Sequence, residues 1–301
     1  MGLAWGLVLP EIGPAPGIVP KGRRAVNWEW SEAMGPLVAI SGFLAGVVLN
    51  VLADWLPERE RVWRGPACPY CGGVRPPLQW SALLAYVQGR GRCRRCGAHF
   101  PLRHPLVEAS TVVLFVFLWF LSGRGGGAWP LPVLLAYSWI LFLVLVIDAE
   151  HRLILNVVIY PALALAGVVS LFHPTRGAQW FWLGGALGFA FVYGIYLLGA
   201  LFGFLVSRRR GRPLQEVVFG AGDVKLAAFI GLAVGFPQVV FALVLGILLG
   251  GVAALGVLLQ QVLVQRRYSA FTAMPYGPFL VVGAWVMLWF GREVMRWYLG
   301  L

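Results

Sequence analysis

Three aspartates occur in the chain, Asp54, Asp148 and Asp223, and two of them stand where an apolar run meets a polar loop. Asp148 closes the run Val133 to Ile147, and Asp223 lies in Gly220-Ala-Gly-Asp-Val-Lys225, at the start of the run Leu226 to Phe236. An ionisable residue at the edge of a membrane segment is a functional-site hypothesis, because a charge at the bilayer centre costs about 2.5–3.5 kcal/mol even on a lenient scale. Two carboxylates at two helix ends, if they meet, can share a proton, one ionised and one protonated, as in an aspartic protease. The competing reading is a solvated charge at each helix end. Gly220 and Gly222 let the backbone beside Asp223 approach another segment closely.

The second chemical cluster is Cys68-Pro-Tyr-Cys71 and Cys93-Arg-Arg-Cys96, each pair followed by a glycine, Gly72 and Gly97. Two such pairs about twenty residues apart read as a four-thiolate zinc site, which is structural because it leaves no open coordination position. The alternative is two disulfides, which needs an oxidising compartment. All four cysteines of the chain are in this cluster. Metal would fold a small insert that lacks a large core of its own. His99 and His104 lie just beyond and are expected at the surface rather than as ligands.

The elements that must position these groups are membrane helices. Apolar residues make up 59% and charged residues 12% of the 301 residues, and mean hydropathy is +0.78; a soluble domain carries roughly a quarter charged residues. The absence of period-two alternation argues for helices over a barrel. The apolar runs predict an all-α polytopic membrane protein of about eight transmembrane helices. They cover about Met34–Trp55, Pro105–Leu121, a third reaching Asp148, Leu153–Phe172, Phe181–Val206, Asp223–Phe236, Val239–Val264 and Tyr276–Phe290. The second, sixth and eighth are short enough that one is a candidate re-entrant segment, since a bilayer needs ~20 residues. Residues 1–33 form an N-terminal extension with Trp28 and Trp30 suited to the interface; it lacks a basic start, so a cleaved signal peptide is not expected.

Net charge is +12. In a soluble protein this would point to nucleic acid; here the positive-inside rule accounts for it, with membrane lipid as the partner and no nucleic acid. Alternate loops carry the basic excess: Arg59, Arg61, Arg64, Arg75, Arg90, Arg92, Arg94, Arg95 and Arg103, then Arg152, then Arg208, Arg209, Arg210, Arg212 and Lys225, then Arg266 and Arg267. The opposite set has Lys21, Arg23, Arg24, Arg124, Arg176, Arg292 and Arg296. The first set is therefore cytoplasmic, which puts Asp148, Asp223 and the cysteines on the reducing side and favours zinc over disulfides. The sequence carries no signal for the oligomeric state.

Taken in order, these blocks resemble the bacterial type IV prepilin peptidase family, the bifunctional leader peptidase and N-methyltransferase, over about Ser41 to Phe279. Ser41-Gly-Phe-Leu with Asn50 and Pro57 is similar to its first helix. The two C-x-x-C pairs and His104-Pro-Leu-Val-Glu108 are similar to its cytoplasmic insert and second helix. Asp148-Ala-Glu-His-Arg-Leu-Ile and Gly220-Ala-Gly-Asp223-Val-Lys-Leu are similar to the blocks holding its two catalytic aspartates, and Met274-Pro-Tyr-Gly-Pro-Phe279 to its last recurrent block. The chain departs at Leu155-Asn156, where the family continues Pro-Asp; asparagine can still cap a helix.

The resemblance implies catalytic Asp148 and Asp223, and a substrate that is a type IV prepilin or pseudopilin precursor with a short basic leader ahead of a membrane helix. Cleavage would fall at the cytoplasmic face of the inner membrane, followed by S-adenosylmethionine-dependent methylation of the new amino terminus. Four parts are therefore expected: extension 1–33, which has no counterpart in the family pattern, first helix 34–55, a zinc insert 56–104 that the resemblance associates with methyl transfer, and a peptidase domain 105–301. No glycine-rich dinucleotide-type fingerprint opens a βαβ unit, so the methyl donor rests on the resemblance alone. Lys225 is expected to snorkel to the interface rather than act as a base, and Glu108 to pair with an arginine rather than orient the site. Two other classes stay open on residues alone: a transporter using Asp148 and Asp223 as a proton or cation relay, and a membrane-anchored zinc-knuckle binding module.

Overall fold

Long apolar runs bounded by polar loops form helices here, because a chain in lipid must satisfy every backbone group internally. The computed structural model describes residues 34–58, 66–68, 70–76, 79–89, 91–124, 127, 129–174, 176–210, 220–263 and 275–300. Within them lie α1 (Met34–Glu58), α2 (Ala82–Val87), α3 (Arg103–Gly123), α4 (Leu131–His151), α5 (Asn156–Ser170), α6 (Ala178–Arg210), α7 (Ala221–Val234), α8 (Gln238–Leu263) and α9 (Gly277–Leu299). The extension with Trp28, Trp30, Lys21, Arg23 and Arg24 lies outside the described residues, as do Arg59, Arg61, Arg64, Arg90, Arg212, Arg266, Arg267 and Met274.

Among the described residues eight apolar helices correspond to the eight runs, and α2 belongs to the insert. Six of them, α1, α3, α4, α6, α8 and α9, are long and apolar enough to cross a membrane. Of the three spans expected to be short, only the sixth is. The second and eighth spans, α3 and α9, run for 21 and 23 residues, because each takes in polar turns, Arg103-His104 in one and Arg292 to Arg296 in the other. The fourth, α5, has only 15 residues. Arg152 ends α4 in the left-handed region at φ 54°, its N–H bonded to the Asp148 carbonyl at 2.9 Å, and Leu153 to Leu155 separate the two helices. The sixth, α7, has 14 residues.

The brevity of α7 goes with its place at the centre. A helix that is apolar all round is a buried one, and Leu226, Ala227, Phe229, Ile230, Ala233 and Val234 are all inaccessible. Helices α5, α6, α8 and α9 pack around it. Close approach of α6 and α7 needs glycine on both sides: a Cβ on Gly184 would overlap the Gly231 carbonyl, and one on Gly231 would overlap Gly184. On α1, a Cβ at Gly46 would stand 2.9 Å from the Glu108 Cα of α3. Lipid tails are as apolar as leucine, so such contacts and interhelical hydrogen bonds hold the helices together, the latter at ~0.6 kcal/mol each. Trp129 donates to the Ala233 carbonyl at 2.7 Å, Trp139 to that of Ala45 at 3.0 Å, and Trp289 to Ser138 Oγ at 3.0 Å. Together these bonds join α7 to the loop before α4, α4 to α1, and α9 to α4.

Candidate active site and metal centre

The first aspartate sits in the last turn of α4 and the second in the first turn of α7, at the same end of the bundle. Both are buried, Asp148 at 5% and Asp223 at 9% exposure, and they lie close enough for the charge of one to act on the other. Gly220 precedes α7 with an extended backbone and donates its N–H to Asp223 Oδ2 at 3.0 Å, while the Asp223 N–H bonds back to the Gly220 carbonyl at 3.1 Å. The side chain thus satisfies a backbone donor at a helix start, where the helix dipole also favours negative charge. Two residues without side chains close the site. Ile154, in the α4–α5 turn, packs where a Cβ on Gly222 would stand, 2.8 Å from its own Cβ. Gly277, at the start of α9, lies against Asp148, and a Cβ there would overlap Asp148 Oδ2. Tyr276, beside it, is near enough to Asp223 to feel its charge.

Asp148 Oδ2 is buried. A backbone N–H acts on each carboxylate, that of Gly277 on Asp148 and that of Gly220 on Asp223. Gly277→Ala is expected to push the Asp148 carboxylate aside and lower leader cleavage by about 10²-fold, the scale of a misplacement near 1 Å. Circular dichroism should be unchanged, and cleavage within twofold of the parent would remove Gly277 from the site.

Lys225 does not reach the dyad. Its Nζ donates to Asn156 Oδ1 at 2.6 Å and lies 5.0 Å from the centre of the Tyr160 ring. Asn156 does not cap α5: Leu155 is the cap residue, without a side-chain hydrogen bond, and Asn156 instead receives Lys225 and ties α5 to α7.

The four cysteines come together as their spacing predicts. Their sulfurs all lie within 4.8 Å of one another, with Cys68 Sγ 3.7 Å from Cys96 Sγ and Cys71 Sγ 3.8 Å from Cys93 Sγ. A tetrahedral zinc with Zn–S bonds near 2.3 Å sets its sulfurs about 3.8 Å apart, so the thiols fit the metal. All four are free of disulfides. The pairs are built alike. The Gly72 and Gly97 N–H groups bond the Cys68 and Cys93 carbonyls at 2.9 Å, at φ values of 65° and 74° that only glycine adopts freely. The backbone N–H groups of Cys96 and Arg95 point at the Cys93 sulfur and lower that thiol to about 6, which readies it as a thiolate. Around the cluster the buried apolar core is small, chiefly Ala85 and Phe100. Arg75 is buried against the Phe100 ring at 4.2 Å, and its positive charge faces Cys68 and Cys93.

The insert's attachment was not foreseen from the sequence. Glu108, expected beside an arginine, is wholly buried on α3 and accepts from Ser81 Oγ at 2.6 Å, Ala82 N at 2.9 Å, Leu83 N at 3.0 Å and Asn50 Nδ2 at 3.1 Å. It holds the start of α2 because a buried carboxylate is tolerable only with several donors. His104, expected at the surface, is 4% exposed, its Nε2 2.9 Å from Asp54 Oδ2; His99 is exposed and receives Arg92 Nε at 3.0 Å. The nearest sequence signal was the His104-Pro-Leu-Val-Glu108 block itself, which marks both residues but not their partners.

Two buried carboxylates at one end of a helical membrane bundle, close enough for their charges to interact, suit a membrane aspartic peptidase. The chain is a multi-pass membrane protein of that class, and it belongs to the type IV leader peptidase family, whose model matches residues 135–255, with the bacterial peptidase A24 N-terminal domain matching residues 40–121. It is 30% identical over 285 residues to the prepilin leader peptidase/N-methyltransferase of Pseudomonas putida, covering 86% of this chain and 91% of that protein. The protein of the same description from Pseudomonas aeruginosa is 28% identical over 282 residues, with coverage of 86% and 91%. That from Aeromonas hydrophila is 29% identical over 295 residues, with coverage of 87% and 93%. No solved structure matches.

Proposed function

We propose that this chain removes the leader peptide from type IV prepilin or pseudopilin precursors and methylates the new N-terminal amine. The observation that carries the peptidase half is the pair Asp148 and Asp223, both buried and close enough for the charge of one to act on the other. In this reading the ionised carboxylate takes a proton from water as the water attacks the scissile carbonyl, and the protonated one polarises that carbonyl. The relatives' names support both activities. A relay reading would sit better with carboxylates at the bilayer midplane between related halves.

The methyl group would come from S-adenosylmethionine, and the insert, 56–104, is the part of the chain we associate with that step, with 105–301 as the peptidase domain. Cys68, Cys71, Cys93 and Cys96 would hold one zinc, whose contribution is to fold the insert. The arginine-rich loops support a placement of the insert, the loop after α6 and both aspartates at the cytoplasmic face of the inner membrane.

Incubating the purified protein with a model prepilin and S-adenosylmethionine should yield a shortened product whose new N-terminus gains one methyl mass. An uncut precursor would sink the peptidase half, and a cut but unmethylated product the other half. In cells, a single cysteine introduced beside Ser207 on a cysteine-free background should resist an impermeant thiol reagent added from outside; labelling there would reverse the orientation.

A further inference from the structure

We propose that Arg103 is a positioning residue for leader cleavage, clamping the last turn of α4, which carries Asp148, to the α1–α3 pair on which the zinc insert is docked. This rests on the peptidase reading above and extends it. Glu150 lies two residues after Asp148 in the same turn. Arg103, at the start of α3, gives one guanidinium nitrogen to Glu150 and the other to Asp54 near the end of α1. A guanidinium presents its donors in a rigid planar fork, so it can bridge carboxylates from two helices, which an ammonium on a flexible stem does poorly. Although Asp54 and Glu150 are partly exposed, the arginine between them is only 19% exposed, so the bridge is better shielded than an ordinary surface pair.

The clamp continues into the insert without a break. Asp54 Oδ2 lies 2.9 Å from His104 Nε2, and the His104 carbonyl accepts from Asn50 Nδ2 at 2.9 Å. Asn50 Nδ2 also donates to Glu108, which holds Ser81, Ala82 and Leu83 at the start of α2. Asn50, His104 and Glu108 are all buried, so each needs the partner it has. Beneath this chain Leu143, Val146 and Ile147 of α4 pack on Leu49, Ala53 and Val107 of α1 and α3. Apolar packing fixes that face of α4 as far as the buried Asp148, but the residues beyond it leave the packed layer: Ala149, Glu150 and His151 are exposed and Arg152 ends the helix. Arg103 is the tie that reaches past it.

The test is a double-mutant cycle on the full chain in lipid nanodiscs, with leader cleavage of a model prepilin, bound zinc and thermal unfolding read together. Arg103→Gln and Glu150→Gln should each lower kcat about tenfold with KM and zinc unchanged, and the double variant should be no slower than either single, as expected for one coupled pair. Arg103→Lys should recover less than half of the loss, and the exchange Arg103→Glu with Glu150→Arg should recover more than Arg103→Glu alone. Should Arg103→Gln lose zinc and unfold, Glu150→Gln, which touches neither α1 nor the insert, decides: kcat within twofold of the parent overturns the proposal, as do single effects that multiply in the double variant. A parent that cuts no prepilin refutes the peptidase reading instead. In that case the clamp is read from unfolding, and additive shifts across the cycle overturn it.

Discussion

Replacing either Asp148 or Asp223 by asparagine is expected to abolish leader cleavage while the protein stays folded in its membrane. Asparagine keeps the size of the side chain but can neither accept the proton of the attacking water nor pass between ionised and protonated forms. Loss of one general acid or base typically costs about 10²–10⁴-fold, and both roles are needed in each turnover. Folding should survive in both variants. Asp148 sits against Gly277, and asparagine brings no larger volume there. In Asp223→Asn the new amide retains an oxygen for the Gly220 N–H. Asp54→Asn makes the contrasting case: its side chain touches Arg103 and His104, not the dyad, so cleavage should fall by no more than about tenfold, the effect of a loosened positioning contact. The fraction of leader removed, read by mass spectrometry at matched protein amounts, checks all three. Full processing by either Asp148→Asn or Asp223→Asn would sink the aspartic mechanism.

The second large effect is expected at the metal centre. Changing Cys68 and Cys71 together to serine removes two of four thiolates and should abolish zinc binding, seen as absence of the metal in elemental analysis of the purified protein. Structural zinc contributes about 10–16 kcal/mol to the folding of small metal-dependent units. The core around the four sulfurs, with Ala85 and Phe100 as its chief apolar residues, is too small to replace that. Methylation should therefore be lost. Cleavage should be reduced less, since the two aspartates are carried by α4 and α7 within the membrane bundle, and among the described residues the insert is linked to that end of α4 through Glu108 and the chain of hydrogen bonds ending at Arg103. A paired assay on one preparation, recording leader removed and methyl mass gained, distinguishes the outcomes. Equal loss of both activities would mean that the insert braces the whole protein, and preserved methylation with lost cleavage on pre-cut substrate would overturn the division.

Much of the site was legible in residue order because its chemistry is local. Runs of apolar residues declare membrane helices through the absence of water in the bilayer, so Asp148 and Asp223 stand out as charges at the ends of such runs. The paired C-x-x-C spacing declares a metal site because each pair forms one tight turn, and its glycine is the residue that turn demands. Helix ends were less legible where a backbone conformation rather than composition set them, as at Arg152 before α5. The functions of His104, Glu108 and Gly277 were not legible. A buried polar atom must find a partner, but the partner can lie on any element, and those of Glu108 lie on α1 and at the start of α2. The composition and spacing of the chain by themselves determined the class of fold, and singled out the two aspartates and the four cysteines that the structure brings together. Only the tertiary structure decided that Gly277 makes room for the Asp148 carboxylate, that Glu108 moors the insert and that Arg103 joins three helices beside the dyad, since each depends on the close approach of segments that no local period brings together.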